Sequence, residues 1–332
     1  MLMKGNCQIA ALGTYFPKQV VTSRELMREI KSELHYGISE HWLSEVCGID
    51  ERRVASAEEL PSVLAIKAAE QALSESGINA RDIDAVIFCG ISREWLEPSI
   101  AHKVQHELGC TNAISFDVSN ACHGFMNGII IADSLIQCSD ATHVLVVTGE
   151  ASSDITNYYV DKLRNNSASL QKELGALTLG DAGAAMVLTP KIDGRGFQYF
   201  NFYTNAKYTD LCKISLDKKG RYEGQMVMGK ISSVGIRLHS ALIEQTYLAL
   251  QWQPMDIAHF ICHQTGRKPH QRMSEVAKVS PQIMPVSYKH YGNITTATIP
   301  VNLYNVQATP NQRVLIAGAG SGISISQSGF IA

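Results

Sequence analysis

The sequence predicts an α/β protein built from two similar halves, and three observations carry this expectation. Apolar runs of strand length alternate with segments of helical periodicity. Two of those runs recur at almost one offset. Ala85-Val86-Ile87-Phe88-Cys89 aligns with Ala258-His259-Phe260-Ile261-Cys262, and His143-Val144-Leu145 aligns with Arg313-Val314-Leu315. The shifts are 262 − 89 = 173 and 313 − 143 = 170, close to half the chain. Finally, 332 residues exceed the roughly 250–300 at which one hydrophobic core stops growing. Buried strands resemble one another in general, so the pattern alone is read equally as a duplication or as a chance likeness.

Taken in order, Gln8-Ile9-Ala10-Ala11-Leu12-Gly13 reads as a strand rather than a leader segment, because no long apolar core precedes it. Pro61–Gly77 is helical: Leu64, Ala68, Ala69, Ala72 and Leu73 share a face, and Gly77 can stop the helix. Asp84–Cys89 is a continuous apolar run suited to a strand covered on both faces. Helical Ala101–Leu108, the strand Ile114–Val118, the helix Cys122–Ile136 and the buried strand His143–Val147 follow. The polar, Gly-containing stretch Lys191–Gly196 marks a boundary, giving halves 1–190 and 191–332.

Composition narrows the function classes. Lys plus Arg is 29 and Asp plus Glu is 31, a net charge of −2, so no global basic field exists to hold nucleic acid or an anionic membrane. Hydrophobic residues at 45% and charged residues at 18% exclude a disordered chain. Eight scattered cysteines without a CxxC pair fit reduced thiols in a cytoplasmic protein. No apolar stretch approaches the ~20 residues of a membrane span.

Four segments can carry chemistry. In Phe116-Asp117-Val118-Ser119-Asn120-Ala121-Cys122-His123-Gly124-Phe125 a strand ends, small polar residues turn the chain, and a helix begins at Cys122. A thiol there feels the positive end of the helix dipole, which lowers its pKa and favours a reactive thiolate. The competing reading is a buried structural cysteine. His263 in Phe260-Ile261-Cys262-His263-Gln264 sits just past a buried strand, where it can polarise a carbonyl or move a proton, or simply be structural. Asn293 follows Gly292 in a tight turn and either donates to a developing negative charge or belongs to a plain Gly-Asn turn. Gly318-Ala319-Gly320-Ser321-Gly322 follows a strand, but the next residues read as another strand, so a dinucleotide fingerprint is not met. His102 and His106 are four apart on a helix without a third ligand, and no metal site is expected.

Together these motifs resemble the ketoacyl-acyl-carrier-protein synthase III group of the thiolase superfamily. The resemblance runs from Gly13-Thr14-Tyr15-Phe16-Pro17 through Trp42-Leu43 and Gly48-Ile49-Asp50-Glu51-Arg52-Arg53. It continues through the Cys122 segment, Leu179-Gly180-Asp181-Ala182-Gly183, His263-Gln264 and Gly292-Asn293 to the Gly318–Gly322 turn. It implies a thiolase fold, with duplicated βαβαβαββ halves in five αβαβα layers, and a homodimer. It implies Cys122 as acyl-accepting nucleophile and His263 with Asn293 as stabilisers of an enolate. Backbone N–H groups of Cys122 and of the Gly320–Gly322 turn would hold an oxyanion. Coenzyme A or acyl-carrier-protein thioesters are the implied substrates, with no bound cofactor.

The departures refine the expectation. Fatty-acid priming enzymes follow the His-Gln pair with Ala-Asn-x-Arg-Ile; here stands Thr265-Gly266-Arg267-Lys268-Pro269. The arginine four residues after the family's Trp is Val46, and Asn165–Leu177 replaces an Asp-Arg-Gly segment. The usual coenzyme A grip therefore carries over weakly, leaving Trp42, Arg267 and Lys268 as substrate-binding candidates. Before Pro98-Ser99 the priming enzymes carry Phe; here it is Glu97. That change resembles the branch joining two acyl thioesters head to head without decarboxylation, as in long-chain olefin and some pyrone pathways. Such an acyl donor must lose an α-proton to a base, and Glu97 from a partner subunit can serve. Decarboxylative condensation with malonyl-carrier protein, acyl transfer to an alcohol or amine, and a non-catalytic subunit of a heterodimer stand as alternatives.

Overall fold

The computed structural model describes residues 1–332. Two five-stranded sheets form its centre. The first runs in the order Cys7–Tyr15, Ala182–Pro190, Val144–Glu150, Ala85–Phe88, Ile114–Asp117. The second runs Leu2–Lys4, Gly196–Tyr208, Gly322–Ile331, Arg313–Gly320, Ile257–Cys262. The repeated runs are parallel neighbours in both sheets: Ala85 is in register with Val144, and Phe260 with Leu315. Each pair is followed by an antiparallel strand. These parallel strands are covered on both faces, which is why they read as unbroken apolar runs rather than alternating ones.

Helices supply the other three layers. Pro61–Ser76 and Ile100–Leu108 cover the outer face of the first sheet through Ala65, Ala68, Ala72, Ile100 and Val104. Gly124–Cys138 and Thr298–Val306 lie between the sheets. There Phe125, Ile129, Ile299 and Leu303 join Ile87, Val146, Ile261 and Ile316 in one shared core. Met228–Leu250 and Arg267–Ala277 cover the outer face of the second sheet. Truncating a fully buried side chain such as Phe125 in that shared layer would cost about 3–5 kcal/mol. The αβαβα thiolase-type arrangement follows.

The halves are not identical. The second sheet has no counterpart of Ile114–Asp117; its fifth strand is Leu2–Lys4, whose Met3 pairs with Phe200. The helix expected from Cys122 begins two residues later, at Gly124, with His123 as its cap. The Gly318–Gly322 segment is mostly strand, and Ser321 alone links Arg313–Gly320 to Gly322–Ile331. A hairpin of Cys212–Leu216 and Tyr222–Met226 precedes the Met228–Leu250 helix. No helix is long and apolar enough to cross a membrane.

Candidate active site

Cys122, His263, Asn293 and Gly320 line one cavity of about 830 Å3, measured with its open mouth. The duplicated fold brings them together from both halves. Cys122 lies on the turn between Ile114–Asp117 and Gly124–Cys138, where Ala121 takes a positive φ of 47°. His263 lies one residue past Ile257–Cys262, and its backbone N–H donates to the Ala317 carbonyl at 2.9 Å. Asn293 follows Gly292, whose φ is 68° and whose Cβ position, in any other residue, would lie 2.6 Å from the Thr178 carbonyl oxygen. Glycine is required there on both counts.

The Asn293 side chain is fixed. The backbone N–H of Asn293 donates to the Thr178 carbonyl at 2.8 Å, and the side-chain Oδ1 accepts from the Thr295 N–H at 3.1 Å. With Oδ1 so engaged, Nδ2 makes no hydrogen bond within the chain and is available to an oxygen in the cavity. Behind this turn lies Arg52, wholly buried and without a carboxylate partner. It donates to the Leu177 carbonyl at 2.9 Å and the Ser23 hydroxyl at 3.2 Å.

The electrostatics correct one expectation. Burial pushes the Cys122 thiol up, and the nearby Glu150 carboxylate adds to the rise. Loss of hydration is the largest influence on this thiol, which stands two residues before the helix rather than in its first turn. Burial, with His123 nearby, pushes His263 down to about 4, and its buried Nδ1 has no partner in the chain. At neutral pH the resting pair is therefore a neutral thiol and a neutral imidazole.

The other candidates lie outside the cavity. Gly322 does not line it, and of the proposed glycine turn Gly320 and Ser321 do. Gly320 passes so close to His123 and Asn120 that a Cβ would stand 2.8 Å from the His123 nitrogen. Trp42 is half-buried against Leu26, Met27, Leu163 and Leu177. Arg267 and Lys268 are exposed, and the Arg267 guanidinium donates to the Glu45 carbonyl. Thr265, Pro269 and Met273 of the same stretch face the cavity. Glu97 is exposed, next to the fully exposed Leu96.

The Glu97 loop is nonetheless held firmly. Buried Glu150 accepts from the Ile91 N–H at 3.1 Å, the Ser92 N–H at 3.2 Å and the Ser92 hydroxyl at 3.1 Å. Asp117 accepts from Ser99, Ile100 and Ala101 at the far end and pairs with Arg93. Glu150 also takes the Thr296 hydroxyl, three residues past Asn293. Cys212, Gly235, His239 and Glu150 were not singled out by sequence reasoning. The first three line the cavity, and a chain pattern does not mark them.

Residues 116–207 match the family described as 3-oxoacyl-[acyl-carrier-protein] synthase III, and residues 249–328 match its C-terminal family. Together they span just over half of the chain. The beta-ketoacyl-[acyl-carrier-protein] synthase III of Rickettsia canadensis is 27% identical over 329 residues, covering 96% of this chain and 97% of that protein. That of Granulibacter bethesdensis is 27% identical over 327 residues, covering 95% and 96%. A crystal structure of a glutamate variant of Xanthomonas campestris OleA superposes with a TM-score of 0.92 at 25% identity over 100% of both chains. A cysteine variant of OleA with bound lauric acid and lauroyl-CoA gives 0.91 at 25% identity, covering 99% of this chain and 100% of that one.

Proposed function

Because the chain belongs to the 3-oxoacyl-acyl-carrier-protein synthase III family of the thiolase superfamily, a family of condensing acyltransferases, we propose that it joins two acyl thioesters by Claisen condensation without loss of CO2. The observation that carries this is the convergence of Cys122, His263 and Asn293 on one largely apolar cavity. The full-length likeness to OleA, one of whose variants holds lauroyl-CoA, and the Glu97 in a pinned, exposed loop support the non-decarboxylative form.

In this scheme Cys122 sulfur attacks the carbonyl carbon of a thioester carried on coenzyme A or acyl carrier protein. The new C–S bond replaces the old one, and the Cys122 proton leaves with the departing thiol. Backbone N–H groups of Cys122 and of the Gly320 strand end stabilise the tetrahedral oxyanion. A second acyl thioester then loses an α-proton to Glu97 of a partner subunit in a cytoplasmic homodimer. Asn293 and His263 donate to the resulting enolate oxygen. The enolate carbon attacks the acyl carbon on Cys122, the Cys122 sulfur leaves, and it recovers a proton equivalent to the one taken by Glu97. The product is a β-ketoacyl thioester. An ordinary acyl thioester needs this base, whereas a malonyl group makes its carbanion by releasing CO2.

Acyl-coenzyme A alone is expected to give β-ketoacyl product, followed by mass spectrometry, with no CO2 released. Glu97→Ala is expected to keep the Cys122 acyl adduct and lose the product by roughly 10²-fold or more. Product that requires malonyl thioester and appears with stoichiometric CO2, or full condensation in Glu97→Ala, would overturn the scheme.

A further inference from the structure

We propose that Gly235 determines how long an alkyl chain the cavity accepts on Cys122, an inference that rests on Cys122 being acylated as described above. Gly235 lies inside the Met228–Leu250 helix, where glycine is the least favourable residue apart from proline. It is buried and its backbone is ordinarily helical, yet a Cβ built on it meets no atom within 4 Å. Every other buried glycine in the chain would bring a Cβ to 2.8 Å or closer to a neighbour. Those glycines are explained by packing, and Gly235 is not. The space over it is the cavity itself, which Gly235 lines together with Ile231 and His239, one helical turn to either side.

The surroundings name the chemical class of the occupant. The cavity's lining is largely apolar, Met226, Ile231, Ile236, Met273 and Ile323 among it, with Ser232 and His239 its polar members on the Gly235 helix. A pantetheine arm would bring amides that need hydrogen-bond partners in that stretch, whereas an alkyl chain needs none. The missing side chain therefore leaves room for the hydrocarbon of the acyl group. Any side chain introduced at Gly235 projects into that room rather than into protein.

The test measures the rate of Cys122 adduct formation by intact-protein mass spectrometry, with hexanoyl-, decanoyl- and hexadecanoyl-coenzyme A. Wild type, Gly235→Ala and Gly235→Leu are compared. The hexadecanoyl-to-hexanoyl rate ratio is expected to fall stepwise with side-chain size, by roughly tenfold or more in Gly235→Leu. Gly235→Ala is expected to melt at or above the wild-type temperature, because alanine is the better helix former. An unchanged ratio overturns the inference, and so does an equal loss at all chain lengths, which would place the thioester arm against Gly235. A lower melting temperature in Gly235→Ala overturns it as well, since the glycine would then be structural. Absence of any adduct in wild type overturns the parent reading, and is distinguished from the other outcomes by occurring before any substitution.

Discussion

The two halves share the order of four strands and differ in how closely a helix lies on the sheet. In the first half Pro61–Ser76 rests directly on three strand glycines. A Cβ on Gly13, Gly149 or Gly183 would stand well under 3.0 Å from the carbonyl oxygens of Ala68, Pro61 and Leu64 respectively. In the second half Met228–Leu250 meets the strand glycine Gly329 at its C-terminal end, through the Leu250 side chain rather than through helix backbone. Its N-terminal part stands off the sheet, and Ala317, Ala319 and Ile323 line the gap beneath it. Ala319 falls 170 residues after Gly149, at the corresponding place in its sheet. One architecture thus serves as a tight support in one half and as a substrate chamber in the other. The spacing between helix and sheet makes the difference.

The chemistry divides in the same way, and that division carries the largest expected effect. Cys122 and Asn293 lie 293 − 122 = 171 residues apart, on the turns that lead into the two central helices. Cys122→Ala is expected to abolish both adduct and product. Asn293→Ala is expected to keep the adduct while condensation falls by about 10²–10³-fold, the usual cost of one oxyanion donor. Adduct mass and product formation, measured on the same samples, separate the two steps. Failure of Asn293→Ala to acylate would place both equivalent turns on the first step and erase the distinction.

The tight half is tested by Gly149→Ala. The added methyl would press on the Pro61 carbonyl, which is backbone and has no rotamer to move aside. A loss of about 3 kcal/mol is expected in urea unfolding, at the upper end for overpacking. A neutral substitution would mean that the first-half helix also has slack, and the contrast with the second half would fail.

The sequence made legible what is local along the chain. Cys122, His263 and Asn293 each sit at a strand end or turn whose residue types announce a change of direction, and the recurring strand runs mark the parallel pairs in each sheet. What stayed hidden depends on distance across the fold. Gly235 reads in sequence only as a weak point in a helix; that its face is empty follows from how far the helix stands from the strands containing Ala319 and Ile323. The direction of the Cys122 pKa depends on distance across the fold in the same way. The helix dipole is local and visible in sequence, while burial sums over residues from both halves. Leu2–Lys4 gave no signal that it would cross to the second sheet, since a three-residue strand carries too little pattern to name its partner.

The smallest expected effect concerns the polar side of the cavity. His123 from the first half and His239 and His263 from the second lie close enough to influence one another. Burial pushes them down to about 4, about 3 and about 4. Each takes up its proton in the unfolded chain as pH falls through the ordinary 6.5, but in the folded protein only near 3 to 4. Between those values the unfolded state holds more protons, so stability falls as pH falls through that window. Asp181, raised to about 6 by burial, works in the opposite sense below that pH. His239→Gln removes one of these protons while Gln327 can still donate to the backbone carbonyl of residue 239, a bond of 2.9 Å in the wild type. Urea unfolding between about pH 6 and 5 should then show a dependence on pH shallower by about 1.2 kcal/mol per unit. An unchanged slope would mean that His239 is already protonated in the folded protein. The inner end of the second-half chamber would then be wet, and the case for an alkyl occupant would weaken with it.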